Sequence, residues 1–98
     1  MKLLALEIEK PGITPGEFQP HLQDEVLHVW NFYQNDIIRE IYFRADQHTA
    51  VLVLECSGVD EARQVLDSLP LVQKGLIRFE IMPLMPYTGF SRLFADKL

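Results

Sequence analysis

The stretch Thr49-Ala50-Val51-Leu52-Val53-Leu54 decides how the rest of the chain is read. A strand made from it carries Ala50, Leu52 and Leu54 on one face and Val51 and Val53 on the other, so both faces are apolar. Such a strand belongs in the middle of a sheet, buried above and below. Upstream, Ile37 to Arg44 holds Ile37, Ile38, Ile41, Tyr42 and Phe43, all strand formers, with Arg39, Glu40 and Arg44 interspersed. Only the polar Asp46-Gln47-His48 separates the two runs, and so short a link predicts an antiparallel pair. Downstream, Ser57-Gly58-Val59-Asp60 has the form of a helix start with Ser57 as its cap. Val59, Ala62, Val65, Leu66 and Leu69 then recur at helical spacing until Pro70 stops the pattern.

Working outward, residues 3–9 alternate, with Leu4, Leu6 and Ile8 on one side and Glu7 and Glu9 on the other. Lys10-Pro11-Gly12 ends that strand. Thr14-Pro15-Gly16-Glu17 can cap a helix, with Pro15 in the first position and Glu17 reaching back. Because Pro20 is disfavoured deep in a helix, the reading is a short first turn and then a main helix from near Pro20 to about Tyr33. Phe18, Leu22, Val26, Val29, Trp30 and Tyr33 fall within an arc of about 120° and are expected to face the core. Leu76 to Met82 alternates again, closed by Pro83 and Pro86. The tail, Tyr87 to Leu98, holds Phe90, Leu93 and Phe94 at helix-compatible spacing, and its aromatics and Arg92 suit docking on a partner.

The resulting order is β-α-β-β-α-β over residues 1–98, read as one domain. That is the split-βαβ, ferredoxin-like α+β pattern, a four-stranded antiparallel sheet with two helices on one face. Helices cover only one sheet face, so the other should alternate polar residues if it met water. Thr49–Leu54 does not allow this. With Glu7, Arg78 and Glu80 set among apolar residues, an apolar centre flanked by charge predicts that two copies pack through their sheets as a two-fold homodimer.

Composition narrows the function. The chain has 98 residues, 48% hydrophobic and 23% charged, and a formal net charge of −5. That acidic balance argues against nucleic acid, whose phosphates call for Lys and Arg. The single cysteine, Cys56, cannot form an internal disulfide and reads as a small buried residue. Apolar runs fall short of the roughly 18 residues that would span a bilayer, and Glu7 and Glu9 interrupt the apolar start before it resembles a signal peptide. A cytoplasmic protein without membrane contact is expected. No Gly-rich phosphate loop, paired-cysteine motif, His-Glu-x-x-His or Gly-x-Ser-x-Gly occurs.

The sharpest local constellation is His21, Glu25 and His28, spaced four and three residues apart on one stripe of the first main helix, at the margin of the apolar arc. Two imidazoles and a carboxylate can act as an acid–base set. As metal ligands they would converge poorly, being spread over about 10 Å of helix axis, and would need a further ligand such as His48. The expectation is therefore a site with no metal and no cofactor. Tyr42 and Arg44, two apart on one strand, point to the same face and could hold an anionic or hydroxylated ligand. Trp30 serves either as core or as a ligand platform.

Val59-Asp60-Glu61-Ala62 through Leu66-Asp67-Ser68-Leu69-Pro70-Leu71 resembles the muconolactone isomerase family, where a strand ends, a helix carries a similar pattern and a Leu-Pro-Leu step leads into the last strand. The resemblance covers about residues 40–85. It implies the dimeric α+β barrel superfamily, whose ferredoxin-like protomers associate through their sheets and whose members include isomerases, cofactor-independent monooxygenases and dehalogenase-type enzymes. Acid–base residues in that family lie on the first helix, a role for which Glu25 stands here, although no lysine occurs between Lys10 and Lys74. The expected function is proton transfer on an oxygenated small molecule by Glu25, His28 or His21, with Tyr42, Arg44 and Trp30 binding the substrate. A non-catalytic dimeric module for a small ligand or a protein is the alternative, and a cofactor-independent monooxygenase a third reading.

Overall fold

The computed structural model describes residues 1–94. The elements run β1 (Lys2–Glu9), α1 (Pro15–Phe18), a 3-10 turn (Gln19–His21), α2 (Leu22–Gln34), β2 (Ile38–Phe43), β3 (Ala50–Glu55), α3 (Val59–Asp67), α4 (Pro70–Gln73), β4 (Ile77–Pro83) and a second 3-10 turn (Gly89–Leu93). Every sheet pairing is antiparallel, in the order β2-β3-β1-β4. This is the ferredoxin-like α+β arrangement read from the sequence, and Thr49–Leu54 forms most of an inner strand as its double-sided apolar pattern requires.

Register sorts the side chains onto two faces. Leu3 pairs with Leu54 and Ala5 with Leu52, so these four share the face under the helices. All four are almost completely buried, together with Ile38, Leu66 and Leu69. Ile77 and Phe79 of β4 are buried in the same core, with Phe18, Val29 and Phe32 packed against it from the helical layer. The opposite face carries Leu4, Leu6 and Ile8 beside Val51, Val53 and Met82, flanked by Glu40, Tyr42, Arg78 and Glu80. Its centre is apolar, as expected. Glu7 does not belong to it, however: it pairs with Phe79 and shares parity with Leu3 and Ala5, which places it under the helices.

Local chemistry explains the helix boundaries. The Thr14 N–H donates to the Glu17 carboxylate (2.7 Å) with Pro15 next in sequence, so the expected capping interaction forms. Pro20 is absorbed by the 3-10 turn between α1 and α2, where its missing N–H costs no helical bond. At α3 the N-cap is Gly58 rather than Ser57. Glu61 instead reaches back and accepts from the Ser57 N–H (3.1 Å) and hydroxyl (3.3 Å). Pro70 does more than end α3, since it opens α4 as a residue that needs no amide partner.

The core-facing arc of α2 differs from the one the periodicity predicts. Val26, Trp30 and Tyr33 are exposed (64%, 52% and 46%), whereas Glu25 is 9% exposed and Val29 and Phe32 pack on the core. The helix is rotated by about one residue, roughly 100°, from the apolar-arc reading. The cause is Glu25, which finds a backbone donor inside and so can be buried at modest cost. Among the described residues no helix is long and apolar enough to cross a membrane.

Candidate functional site

Two carboxylates enter the layer between helices and sheet. Glu25 comes down from α2 and accepts from the Leu71 N–H (2.9 Å). Pro70 has no N–H, so Leu71 offers the first free amide of α4, and the carboxylate caps that helix. Glu7 comes up from β1 and accepts from the Ala50 N–H (3.1 Å) at the start of β3. Burial raises both carboxyls above their ordinary value. Against that rise, Glu25 is lowered by the Leu71 amide and then by His28. Glu7 is lowered by Ala50 and by His48, but raised further by the charges of Glu9 and Glu25. The two acids are thus close enough for the charge of Glu25 to add to the rise at Glu7. Beside them, the Thr49 hydroxyl is buried without a hydrogen-bond partner.

His28 has a defined protonation geometry. Its Nδ1 lies 2.8 Å from the Asp24 carbonyl oxygen, and a carbonyl only accepts, so Nδ1 carries a proton. In the neutral ring the lone pair is therefore on Nε2. The Asp24 carboxylate stands 3.6 Å from Nδ1. His21 ends the 3-10 turn, half-buried. Among the described residues no three His, Cys, Asp or Glu side chains gather in a way that could hold a metal ion. His48 stacks on Phe43 with ring centroids 4.0 Å apart.

The residues expected to bind substrate lie elsewhere. Tyr42 pairs with Val51 on the opposite sheet face and donates its hydroxyl proton to Glu40 (2.7 Å). Arg44 makes a two-pronged contact with Asp46 (2.9 and 2.6 Å), so an anionic ligand would have to displace that carboxylate. Trp30 stacks on Tyr33 at 6.0 Å between centroids. Together with Tyr42 they line an open groove of about 380 Å³ along the β2 edge, with Arg39 and Glu40 at its polar side. The structure therefore brings Glu25 and His28 together, and separately Trp30 and Tyr42. It does not bring the two groups into one site. Cys56 is buried, and its thiol is pushed up by burial and by Glu61, which leaves it a poor nucleophile.

Sequence reasoning missed Glu7 as a site residue. Its signal was parity: a carboxylate in register with Leu3 and Ala5 lies on the core face and must find partners there.

Against known proteins, no family model matches the chain, and no curated protein does. Solved structures do. Muconolactone isomerase superposes with a TM-score of 0.74 over 91% of this chain and 93% of that one, at 16% identity. The 5-chloro-2-hydroxyhydroquinone dehydrochlorinase of Burkholderia phenoliruptrix AC1100, solved in complex with 2,5-dihydroxybenzoquinone, superposes with a TM-score of 0.62 at 15% identity, covering 91% and 98%. The chain has the fold of muconolactone isomerase, as the resemblance around Val59–Leu71 implied. At such identities the likeness carries fold and no activity.

Proposed function

We propose that the protein is a cytoplasmic small-molecule enzyme, one ferredoxin-like domain per chain, that moves a proton between carbon positions of an oxygenated organic substrate. The observation that carries this reading is the pair of carboxylates, Glu25 buried and Glu7 half-buried, that enter the layer between helices and sheet and each accept a backbone N–H. In this reading Glu25, raised by burial but held down by the Leu71 amide and by His28, takes the proton from carbon, and Glu7, raised by burial and by the nearby charges of Glu9 and Glu25, takes up and returns protons beside it. His28, with its free Nε2, lies beside Glu25 as a relay. His21, half-buried one turn before Glu25, lies at the helix end of the same layer. Tyr42, Arg44 and Trp30 meet the substrate at the β2 edge before it reaches the acids. The reaction needs no metal or cofactor, since a carbon acid beside a carbonyl is acidified by its own oxygen. One of the similar solved structures is an isomerase named for a lactone and the other holds a hydroxylated quinone; both ligands carry carbonyl oxygens that can take up negative charge as a proton leaves.

The functional unit in this reading is a homodimer formed through the apolar sheet face of Leu4, Leu6, Val51 and Val53. Water on that face would oppose an apolar patch with no covering element.

Solvent deuterium wash-in at carbons next to the carbonyl, followed by NMR over a panel of lactones and hydroxyquinones, tests the chemistry. A catalysed exchange is expected in the parent, and Glu25→Gln should lower it by about 10²–10⁴. Exchange unchanged in Glu25→Gln contradicts the assignment. The Trp30–Tyr33 groove favours a second reading, a non-catalytic binding module, which predicts ligand saturation without any exchange.

A further inference from the structure

Glu7 is half-buried, so protons that it takes up and returns need a path to water. The turn between β2 and β3 places one group beside such a path. In the β1–β3 ladder Leu6 pairs with Val51, and the next amide along β3, that of Ala50, donates to the Glu7 carboxylate (3.1 Å). The carboxylate therefore closes the end of that ladder. On the other side of β3, Ala50 pairs with Phe43 of β2. Ala50 has the parity of Leu52 and Leu54, so Phe43 and Glu7 share the sheet face that the helices cover. The helical layer does not reach Phe43, which is 63% exposed. On Phe43 lies the imidazole of His48, with ring centroids 4.0 Å apart and planes inclined by 25°.

We propose that His48, seated on Phe43, carries protons between Glu7 and water. The inference rests on the proton-transfer reading above, and His48 acts in it through Glu7 without touching the substrate. Phe43 and Glu7 stand two strands apart, about 10 Å, a gap that a glutamate and an imidazole side chain close between them, directly or through one water. The charge of His48 is felt at Glu7, where it and the Ala50 amide oppose the rise caused by burial, Glu9 and Glu25. Stacking holds the imidazole by its face and leaves its edge, with both nitrogens, available for proton exchange. His48 is exposed, so that edge can meet solvent. The turn that carries it is braced. The Arg44 N–H donates to the Thr49 carbonyl (2.9 Å), the Thr49 N–H donates to the Gln47 carbonyl (2.7 Å), and the Arg44 guanidinium grips Asp46. The protons balance. Protonated Glu7 gives its proton to the substrate and becomes a carboxylate; protonated His48 passes one to Glu7 and becomes a neutral imidazole; water or buffer then reprotonates His48. Reversing the three transfers carries a proton out.

The link to Glu7 is read without any substrate. Carboxyl-carbon NMR follows Glu7 across pH in the full chain, its signal identified by its loss in Glu7→Gln. In His48→Ala the Glu7 titration is expected to move to higher pH, because the opposing positive charge is gone. An unchanged titration overturns the proposal. Deuterium wash-in over the panel of lactones and hydroxyquinones is then measured in dilute buffer. His48→Ala and His48→Gln, each with the circular dichroism spectrum of the parent, are expected to lose wash-in several-fold. Added imidazole should restore it in His48→Ala in a concentration-dependent way and leave Glu25→Gln unchanged. A loss that imidazole does not restore overturns the relay, because a merely structural role predicts that result. Wash-in equal to the parent's in both variants overturns it too, and leaves the proton-transfer reading standing. A parent that exchanges no hydrogen on any member of the panel contradicts that reading, and the relay with it.

Discussion

Glu7 and Glu25 are the residues on which the proposed chemistry depends, and each has a partner that explains its position. A carboxylate under a helical layer is tolerated when a backbone N–H faces it, as Leu71 faces Glu25 and Ala50 faces Glu7. Both remain harder to ionise than in an unfolded chain, where the ordinary value is 4.5. A folded-state value raised in this way contributes stability that is fully present below 4.5 and is lost as pH rises through the raised value. Glu7→Gln keeps an oxygen for the Ala50 N–H and removes the charge. Its melting temperature is therefore expected to exceed that of the parent at pH 7 and to converge with it near pH 4, in thermal denaturation followed by circular dichroism. A variant that is less stable than the parent at both pH values would contradict the burial of a charged Glu7. The same direction shapes catalysis: as the proposed base, Glu25 must be ionised, so turnover should rise with pH through a value above its ordinary 4.5. A proton-transfer rate that is flat across that region would remove Glu25 from the role.

At the scale of elements, the strands were legible because their pattern has a period of two and little competes with it. Thr49–Leu54 named its own place in the sheet, and the register bears this out, with Leu52 and Leu54 buried and Val51 and Val53 on the outer face. Truncating Leu54 should cost about 2–5 kcal/mol in denaturant unfolding, the usual range for a buried leucine replaced by alanine. A loss below 1 kcal/mol, far under that range, would contradict its place in the core. The main helix was less legible. Its apolar residues outnumber the positions one core can take, so Val26, Trp30 and Tyr33 defined an arc that the fold does not use. The deciding residue, Glu25, was polar, and its burial depends on an amide in α4, forty-six positions away in sequence. No local pattern contains that contact. Likewise Tyr42 and Arg44 share a strand, as their spacing implied, but the carboxylates of Glu40 and Asp46 that hold them are visible only in three dimensions.

For the whole molecule, everything beyond the single core depends on what covers the outer sheet face. Leu4, Leu6, Val51 and Val53 form an apolar centre there, with charged residues at the flanks, and the segment after β4 adds more exposed apolar surface at one edge. Placing a charge at that centre should separate the copies without touching the core: Val53→Glu is expected to give a monomeric mass and a circular dichroism spectrum like the parent's. An unfolded Val53→Glu would instead mean that Val53 supports the protomer itself. The most direct measurement is made on the unaltered chain, by multi-angle light scattering across micromolar concentrations. A mass twice the 11.4 kDa of one chain is the predicted result, and a constant 11.4 kDa would contradict it.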